Sequence, residues 1–266
     1  MADDSGWIGL LDGLTLIASQ AAAAILAVPR PDLKQREKPD TSPVTAADHA
    51  SEAIILDGIK RLLPGVPIVS EETTGNTTVE GLGGRFFLVD PLDGTREFVA
   101  GRDEYVVCIA LIENGVPTVG VLAAPVRGLV WRGHVGHGAE RLVLAPGAAP
   151  AEARERTAIR SRKCPASGAR VLVSRSHLDP ATTAYVDRMK APQKISAGSA
   201  LKFGLLAEGA ADIYPRFGPT SEWDVAAGHA VLAAAGGHVD TLDGKPMRYG
   251  KPGFANPNFV ARGNWG

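Results

Sequence analysis

The sequence lacks most of the features that mark a function class outright. Its 266 residues hold two cysteines, Cys108 and Cys164, with no CxxC pair. Both read as reduced structural thiols, which fits a reducing compartment. No run reaches the roughly 18 consecutive apolar residues of a membrane span. The N-terminus, MADDSGWIGL, opens on two acids where a signal peptide carries a basic region. A cytoplasmic protein with no transmembrane segment is expected, with peripheral attachment to the inner face of the membrane left open. Lys+Arg total 28 against 29 Asp+Glu, for a net charge of -1. That balance offers no electrostatic case for a nucleic-acid polymer as partner, although a small anionic substrate stays compatible. Also missing are HExxH, G-x-S-x-G, GxxxxGK[ST] and a G-x-G-x-x-G after a strand. The histidines His49, His134, His137, His177, His229 and His238 form no ligand motif and read as surface residues. Cys108, inside a strand run, reads as a core thiol.

What is present is a soluble composition, 45% hydrophobic and 21% charged, and a change of character along the chain. Trp7 to Val28 is Ala/Leu/Ile-rich and stops at Pro29, so it reads as a helix. KQREKPDTSP follows as a polar loop. VTAADHASEAIILDGIKRLLPG carries Ile55, Ile59, Leu62 and Leu63 at helical spacing, with Thr45 and Asp48 placed as a capping box. VPIVS and FFLVD are strands. YVVCIALIENGVPTVGVLAAP reads as two strands joined at Asn114-Gly115, a hairpin signal, and GLVWRG adds another. From Ala145 to Ala169 the chain turns Ala/Pro/Arg-rich without a period. A boundary there divides it into an α+β half, 1–160, and a smaller α/β half, 161–266. In the second half ARVLVS, PQKISAG and ADIYP read as strands, alternating with helices in DPATTAYVDRMK, SALKFGLLAEG and EWDVAAGHAVLAAAGG.

Four acidic positions stand out. Asp48 sits at a helix start, Glu71 and Glu72 follow the strand VPIVS, Asp90 and Asp93 bracket Pro91-Leu92 after FFLVD, and Asp224 opens the last long helix. Ends of strands and starts of helices are where ligands commonly bind. Taken singly, each has a plain structural reading: a β-turn in DPLDG, a cap at Asp48, a solvated pair at Glu71-Glu72, a helix-dipole partner at Asp224. Taken together, carboxylates without neighbouring Cys or His suit a hard cation such as Mg²⁺, which takes oxygen ligands at about 2.0–2.1 Å. The Leu92 carbonyl is a further candidate oxygen, and the Gly94 and Thr95 amides are free to meet a phosphate.

Glu71-Glu72, DPLDGT and WDVAAG, in that order, resemble the signature of the magnesium-dependent, lithium-sensitive phosphatases that include inositol monophosphatase. SPVTAAD, DPLDGTREF, GSALKFGLLAEG and YPRFGPTSEWD narrow the resemblance to the CysQ-type 3'(2'),5'-bisphosphate nucleotidases, over essentially the whole chain. It implies a layered αβαβα sandwich, with an antiparallel sheet in the N-terminal half and a smaller α/β C-terminal half. It implies two Mg²⁺ ions, or three: Glu71, Asp90 and the Leu92 carbonyl hold one, and Asp90, Asp93 and Asp224 hold another. Glu71 and Thr95 would orient the attacking water, with Asp48 in support. Gly94 and Thr95 would cradle the phosphate, and Ser199 and Lys202 would contact the nucleotide. For Lys202 an exposed helix lysine is the competing reading. For Arg216 a structural ion pair competes with a substrate anchor. The implied reaction takes 3'-phosphoadenosine 5'-phosphate to AMP and phosphate, a step linked to sulfur assimilation, in a monomer or homodimer. An inositol- or sugar-phosphate phosphatase, and a phospholigand-binding protein without catalysis, are the alternatives.

Overall fold

A computed structural model describes residues 5–29, 36–37, 43–74 and 79–265. Helix α1 (Ser5–Ala27) forms from the Ala/Leu-rich segment, and Pro29 follows its end. The polar stretch expected as a loop lies largely outside the described residues; within it, β1 (Arg36–Glu37) pairs antiparallel with β2 (Pro43–Val44). Helix α2 (Ala46–Leu62) starts at the expected capping box. The Thr45 hydroxyl accepts from the Ala47 amide, and the Asp48 carboxylate accepts from the Thr45 amide. α1 and α2 lie close together because two glycines face the partner helix. A Cβ on Gly13 would stand 2.7 Å from Leu62, and one on Gly58 would stand 2.7 Å from Ile17.

Both helices cover one face of a seven-stranded sheet. Its strands are β3 (Ile68–Ser70), β4 (Arg85–Asp93), β5 (Val106–Glu113), β6 (Val116–Ala124), β7 (Leu129–His134), β8 (Gly138–Val143) and β9 (Glu155–Ile159). They lie side by side in chain order, antiparallel except for the parallel pair β3–β4. The hairpin between β5 and β6 turns at Asn114 (φ 51) and Gly115 (φ 75), the positive dihedrals its Asn-Gly signal requires. Alternation along β4 and β5 sends Phe87, Val89, Val107, Ile109 and Leu111 toward α1 and α2. Phe86, Leu88, Cys108, Ala110 and Ile112 go to the opposite face. Both faces are covered, so these strands read as continuous apolar runs.

A short helix, α3 (Thr95–Val99), follows β4. The second sheet holds β10 (Arg170–Ser174), β11 (Gln193–Ala197), β12 (Ile213–Arg216), β13 (His238–Thr241) and β14 (Phe259–Arg262), in the order β11-β10-β12-β14-β13. Helices α5 (Leu201–Ala207) and α6 (Trp223–Ala234) lie between the two sheets. Their contact is tight: a Cβ on Gly228 would reach 2.4 Å from Phe203, and one on Gly120 of β6 would reach 2.3 Å from the Ala227 carbonyl. Helix α4 (Pro180–Asp187) packs Val186 on Val171, Val173, Ile213 and Val260 at the outer face of the second sheet. The layers therefore run αβαβα, as the resemblance implies.

Three features differ from expectation. The aperiodic stretch after Ala145 contains β9, an edge strand with four of its five residues exposed, so it carries no apolar alternation to read. Strands β8, β13 and β14 also went unanticipated. Although no uninterrupted apolar run of spanning length exists, α1 has a mean hydropathy of 1.7 over Gly6–Ala27, long and apolar enough to cross a membrane by length and composition. Its Leu11, Leu14, Ile17, Ala21 and Ile25 are instead buried against α2 and the sheet.

Candidate active site

The parallel pairing of β3 with β4 places Ser70 opposite Val89, and the Glu71 amide donates to the Val89 carbonyl at 3.1 Å. Glu71 thus leaves the sheet beside Asp90. Between Asp90 and Asp93 the β4–β5 register shifts: Asp90 faces Cys108 while Asp93 faces Val106. This bulge turns the Asp-Pro-Leu-Asp segment out of the ladder. Side chains hold it there. The Leu92 amide donates to Asp90 Oδ1 at 3.0 Å, and the Ser51 hydroxyl donates to the Pro91 carbonyl at 2.7 Å. Gly94 follows with φ 99 and no room for a Cβ, which would lie 3.1 Å from the Glu104 carbonyl and 3.2 Å from Ser199.

Helix α6 brings Asp224 to the same place, with its Oδ2 accepting the Ser221 amide at 2.8 Å. Carboxylate oxygens of Glu71, Asp90 and Asp224 all lie within 4.8 Å of one another. Burial, and then the neighbouring carboxylates, hold the Asp90 and Asp224 carboxyls well above the ordinary range. Three crowded oxygen donors with that electrostatic strain are a donor set suited to a hard cation, whose charge would relieve the repulsion. Asp93 stands slightly apart. Its carboxylate accepts the Ala200 amide, and burial raises its pKa to about 6 against the pull of Lys202. Asp48 is buried beneath. While one oxygen caps α2, the other accepts the Thr95 hydroxyl at 3.3 Å, and that hydroxyl also reaches the Leu92 carbonyl at 3.2 Å.

These residues form one wall of a cleft of about 770 Å³. The other wall is cationic. Lys202 is 3% exposed, so the exposed-lysine reading fails. Its ammonium donates to the Ser199 carbonyl at 2.5 Å and the Ala197 carbonyl at 3.3 Å, and lies 5.1 Å from the centre of the Tyr214 ring. Burial lowers its pKa to about 8, with Asp93 pulling the other way. Among the described residues Arg216 forms no ion pair. Its guanidinium donates to the carbonyls of Gly218, His177 and Pro219 at 3.2, 3.1 and 2.9 Å, which fixes its charge beside the cleft. His177 lines the cleft as an exposed residue, in keeping with the surface reading of the histidines. Desolvation first, then Arg216 and Arg96, hold its pKa below the ordinary value. Its Nε2 lies 2.9 Å from Arg96 Nη1, a contact a neutral imidazole makes as acceptor. His229 departs from the surface reading: it is buried against the Tyr249 hydroxyl at 3.0 Å.

The inositol monophosphatase family profile matches residues 11–264. The chain belongs to the inositol monophosphatase family. Within that family it is 42% identical to the 3'(2'),5'-bisphosphate nucleotidase CysQ of Escherichia coli (strain K12), across 94% of this chain and 98% of that one. The crystal structure of CysQ from Bacteroides thetaiotaomicron superposes with a TM-score of 0.82 at 32% identity, covering 100% of this chain and 99% of that one. A histidinol-phosphatase of Mycobacterium tuberculosis is 36% identical across 86% of this chain and 85% of that one. Against this family framework the sequence reading omitted the residues that brace the site. Glu52 accepts the Ser70 hydroxyl at 2.6 Å and the Thr73 hydroxyl at 3.2 Å, steadying the chain on either side of Glu71. Glu52 lies one helical turn from Asp48, a spacing that could have flagged it. Glu97 accepts the Ser176 hydroxyl, and Glu104 pairs with Arg175. Those partners follow β10, so the rule that flagged acids at strand ends also applies to Ser174–His177.

Proposed function

We propose that this chain hydrolyses the 3'-phosphate of 3'-phosphoadenosine 5'-phosphate, giving AMP and phosphate. The observation that carries the reading is the division of the cleft into an acidic wall and a cationic wall. An acidic wall that holds cations suits the phosphate undergoing reaction. A separate wall of Lys202 and Arg216 suits a second phosphate on the same molecule. A cleft of about 770 Å³ lies in the range that accepts a nucleotide-sized ligand. The nucleotidase relatives agree with this assignment.

Glu71, Asp90, Asp224 and Asp93, with the Leu92 carbonyl, would hold two or three Mg²⁺ ions. When bound, such ions supply charge for the phosphoryl oxygens and activation for water. The protein groups do the rest. Thr95, its hydroxyl proton directed to Asp48 or to the Leu92 carbonyl, offers a lone pair that orients the attacking water. Glu71 accepts from that water on its other side. The Gly94 and Thr95 amides meet the phosphoryl oxygens as charge builds on them. Ser199 and Lys202 contact the sugar or the 5'-phosphate. One water is consumed, the P–O3' bond breaks, and the 3'-oxygen leaves as a hydroxyl. No covalent phospho-enzyme is expected, since the motif supplies no Cys, Ser or His nucleophile.

Phosphate release from a substrate panel tests the reading. The panel holds the bisphosphate nucleotide, AMP, inositol 1-phosphate, histidinol phosphate and fructose 1,6-bisphosphate, each with and without Mg²⁺. The bisphosphate nucleotide should lead by kcat/KM. A lead for inositol 1-phosphate or histidinol phosphate would replace the assignment. Binding without turnover would leave a phospholigand-binding protein.

A further inference from the structure

Asp93 belongs to the end of β4, yet the group that aims its carboxylate, the Ala200 amide, belongs to a turn after β11 in the other sheet. Something must hold that turn at the right distance from β4. The turn itself is strained: Ser199 has φ 46, in the left-handed region. Gly198 has no space beyond its backbone, since a Cβ would lie 2.8 Å from Glu97 Cγ and 2.9 Å from the Glu104 carbonyl. The same turn presents the Ala197 and Ser199 carbonyls to Lys202.

Glu104, in the segment between α3 and β5, spans the gap. One carboxylate oxygen accepts the Gly198 amide at 3.0 Å. Arg175, at the end of β10, grips the carboxylate with two parallel bonds, Nε at 2.6 Å and Nη2 at 2.8 Å. Arg175 Nη2 also donates to the Ser196 carbonyl at 3.0 Å, just before the turn. The Glu104 side chain is 12% exposed, and the Arg175 bonds hold its carboxyl below the ordinary range, so it stays ionised. A bidentate pair of this kind fixes direction as well as distance.

We propose that Glu104 is a positioning residue for the hydrolysis: with Arg175 it fixes the Gly198–Ala200 turn, and through the Ala200 amide it sets the direction of the Asp93 carboxylate toward the divalent cation. This rests on the reading of Asp93 as a metal ligand. Groups that orient a ligand typically alter metal affinity by about 10–100-fold when removed.

The test measures Mg²⁺ and Mn²⁺ binding by isothermal titration, beside the Mg²⁺ dependence of phosphate release, in the full chain. Variants are Glu104→Ala, the isosteric Glu104→Gln, Asp93→Asn and the double variant Glu104→Ala/Asp93→Asn. Asp103→Asn, whose side chain pairs with Arg127 at the surface, serves as the local control. Glu104→Ala should weaken metal binding roughly tenfold and raise the Mg²⁺ needed for half-maximal rate, with most of kcat restored at saturating Mg²⁺. Glu104→Gln should lie between it and the parent. In the Asp93→Asn background the Glu104 effect should vanish, because the residue acts through Asp93. Unchanged metal binding in both Glu104 variants, with Asp93→Asn impaired, overturns the positioning role and leaves the metal assignment standing. Unchanged metal binding in Asp93→Asn overturns that assignment and this inference with it.

Discussion

Replacing Asp90 by Asn should stabilise the metal-free protein while abolishing its activity. Asp90 is 2% exposed, and its oxygens lie within 4.8 Å of those of Glu71 and Asp224. Two unit charges at that separation, in an effective dielectric near 20, repel by about 3.5 kcal/mol. Asp90 faces two such neighbours. The cluster escapes part of the repulsion by retaining protons, so the expected gain at pH 8 is about 1–3 kcal/mol. Each kcal/mol moves the melting temperature of a chain this size by roughly 2–4 °C. Asn preserves the acceptor for the Leu92 amide and gives Glu71 a donor, so little is lost in exchange. The effect also has a pH signature. These carboxyls bind protons more tightly in the folded state than in the unfolded chain, so their contribution is full below the ordinary value of 3.8. It is lost as pH rises through about 6 for Asp93, and through values well above 3.8 for Asp90 and Asp224. The advantage of Asp90→Asn over the parent should therefore be large at pH 8 and small near pH 4. Calorimetry in a chelator across that range measures it, and Mg²⁺ should reverse the ranking by stabilising the parent alone. Destabilisation of the metal-free variant at pH 8, or an advantage that grows on acidification, would refute the crowded-carboxylate account.

Lys202→Met should raise KM for the bisphosphate nucleotide about 10–100-fold, the size of one charged hydrogen bond, and change turnover of a one-phosphate substrate far less. Equal losses on both would remove Lys202 from recognition of the second phosphate. Gly94→Ala forces a side chain into a left-handed backbone and against the Glu104 carbonyl. It should cost about 1–3 kcal/mol of stability and most of kcat, read by calorimetry and steady-state rates; a neutral variant would show that the turn can shift. Chelation should abolish phosphate release, Mg²⁺ should restore it, and Li⁺ should inhibit in competition with Mg²⁺; indifference to all three would contradict the metal assignment.

Much of this protein is determined by local features of its sequence. The Ala-rich segment before Pro29, the Thr45–Asp48 capping box, the Asn114-Gly115 turn and the glycine pair after α6 each act through neighbours in the chain, so their outcome follows from short-range sterics and hydrogen bonds. The acids at element ends are legible for the same reason, since an acid that closes an apolar run stands out in the sequence. Tertiary structure decided what those acids became. Glu71 meets Asp90 because β3 runs parallel to β4, and Asp224 joins them because α6 packs on the opposite side of the same strands. Strand β14 was set by pairing with β12, more than 40 residues earlier in the chain at Arg216↔Phe259. In the sequence Lys202 reads as a nucleotide contact or an exposed helix lysine, and Arg216 as a substrate anchor or a structural ion pair. The fold buries one on carbonyls of its own turn and braces the other on three carbonyls, which turns both toward the cleft. Glu104 and Arg175 lie about 70 residues apart, and nothing local marks them as a pair. Their bond forms because folding the two sheets around α5 and α6 brings a loop of the first beside a strand end of the second.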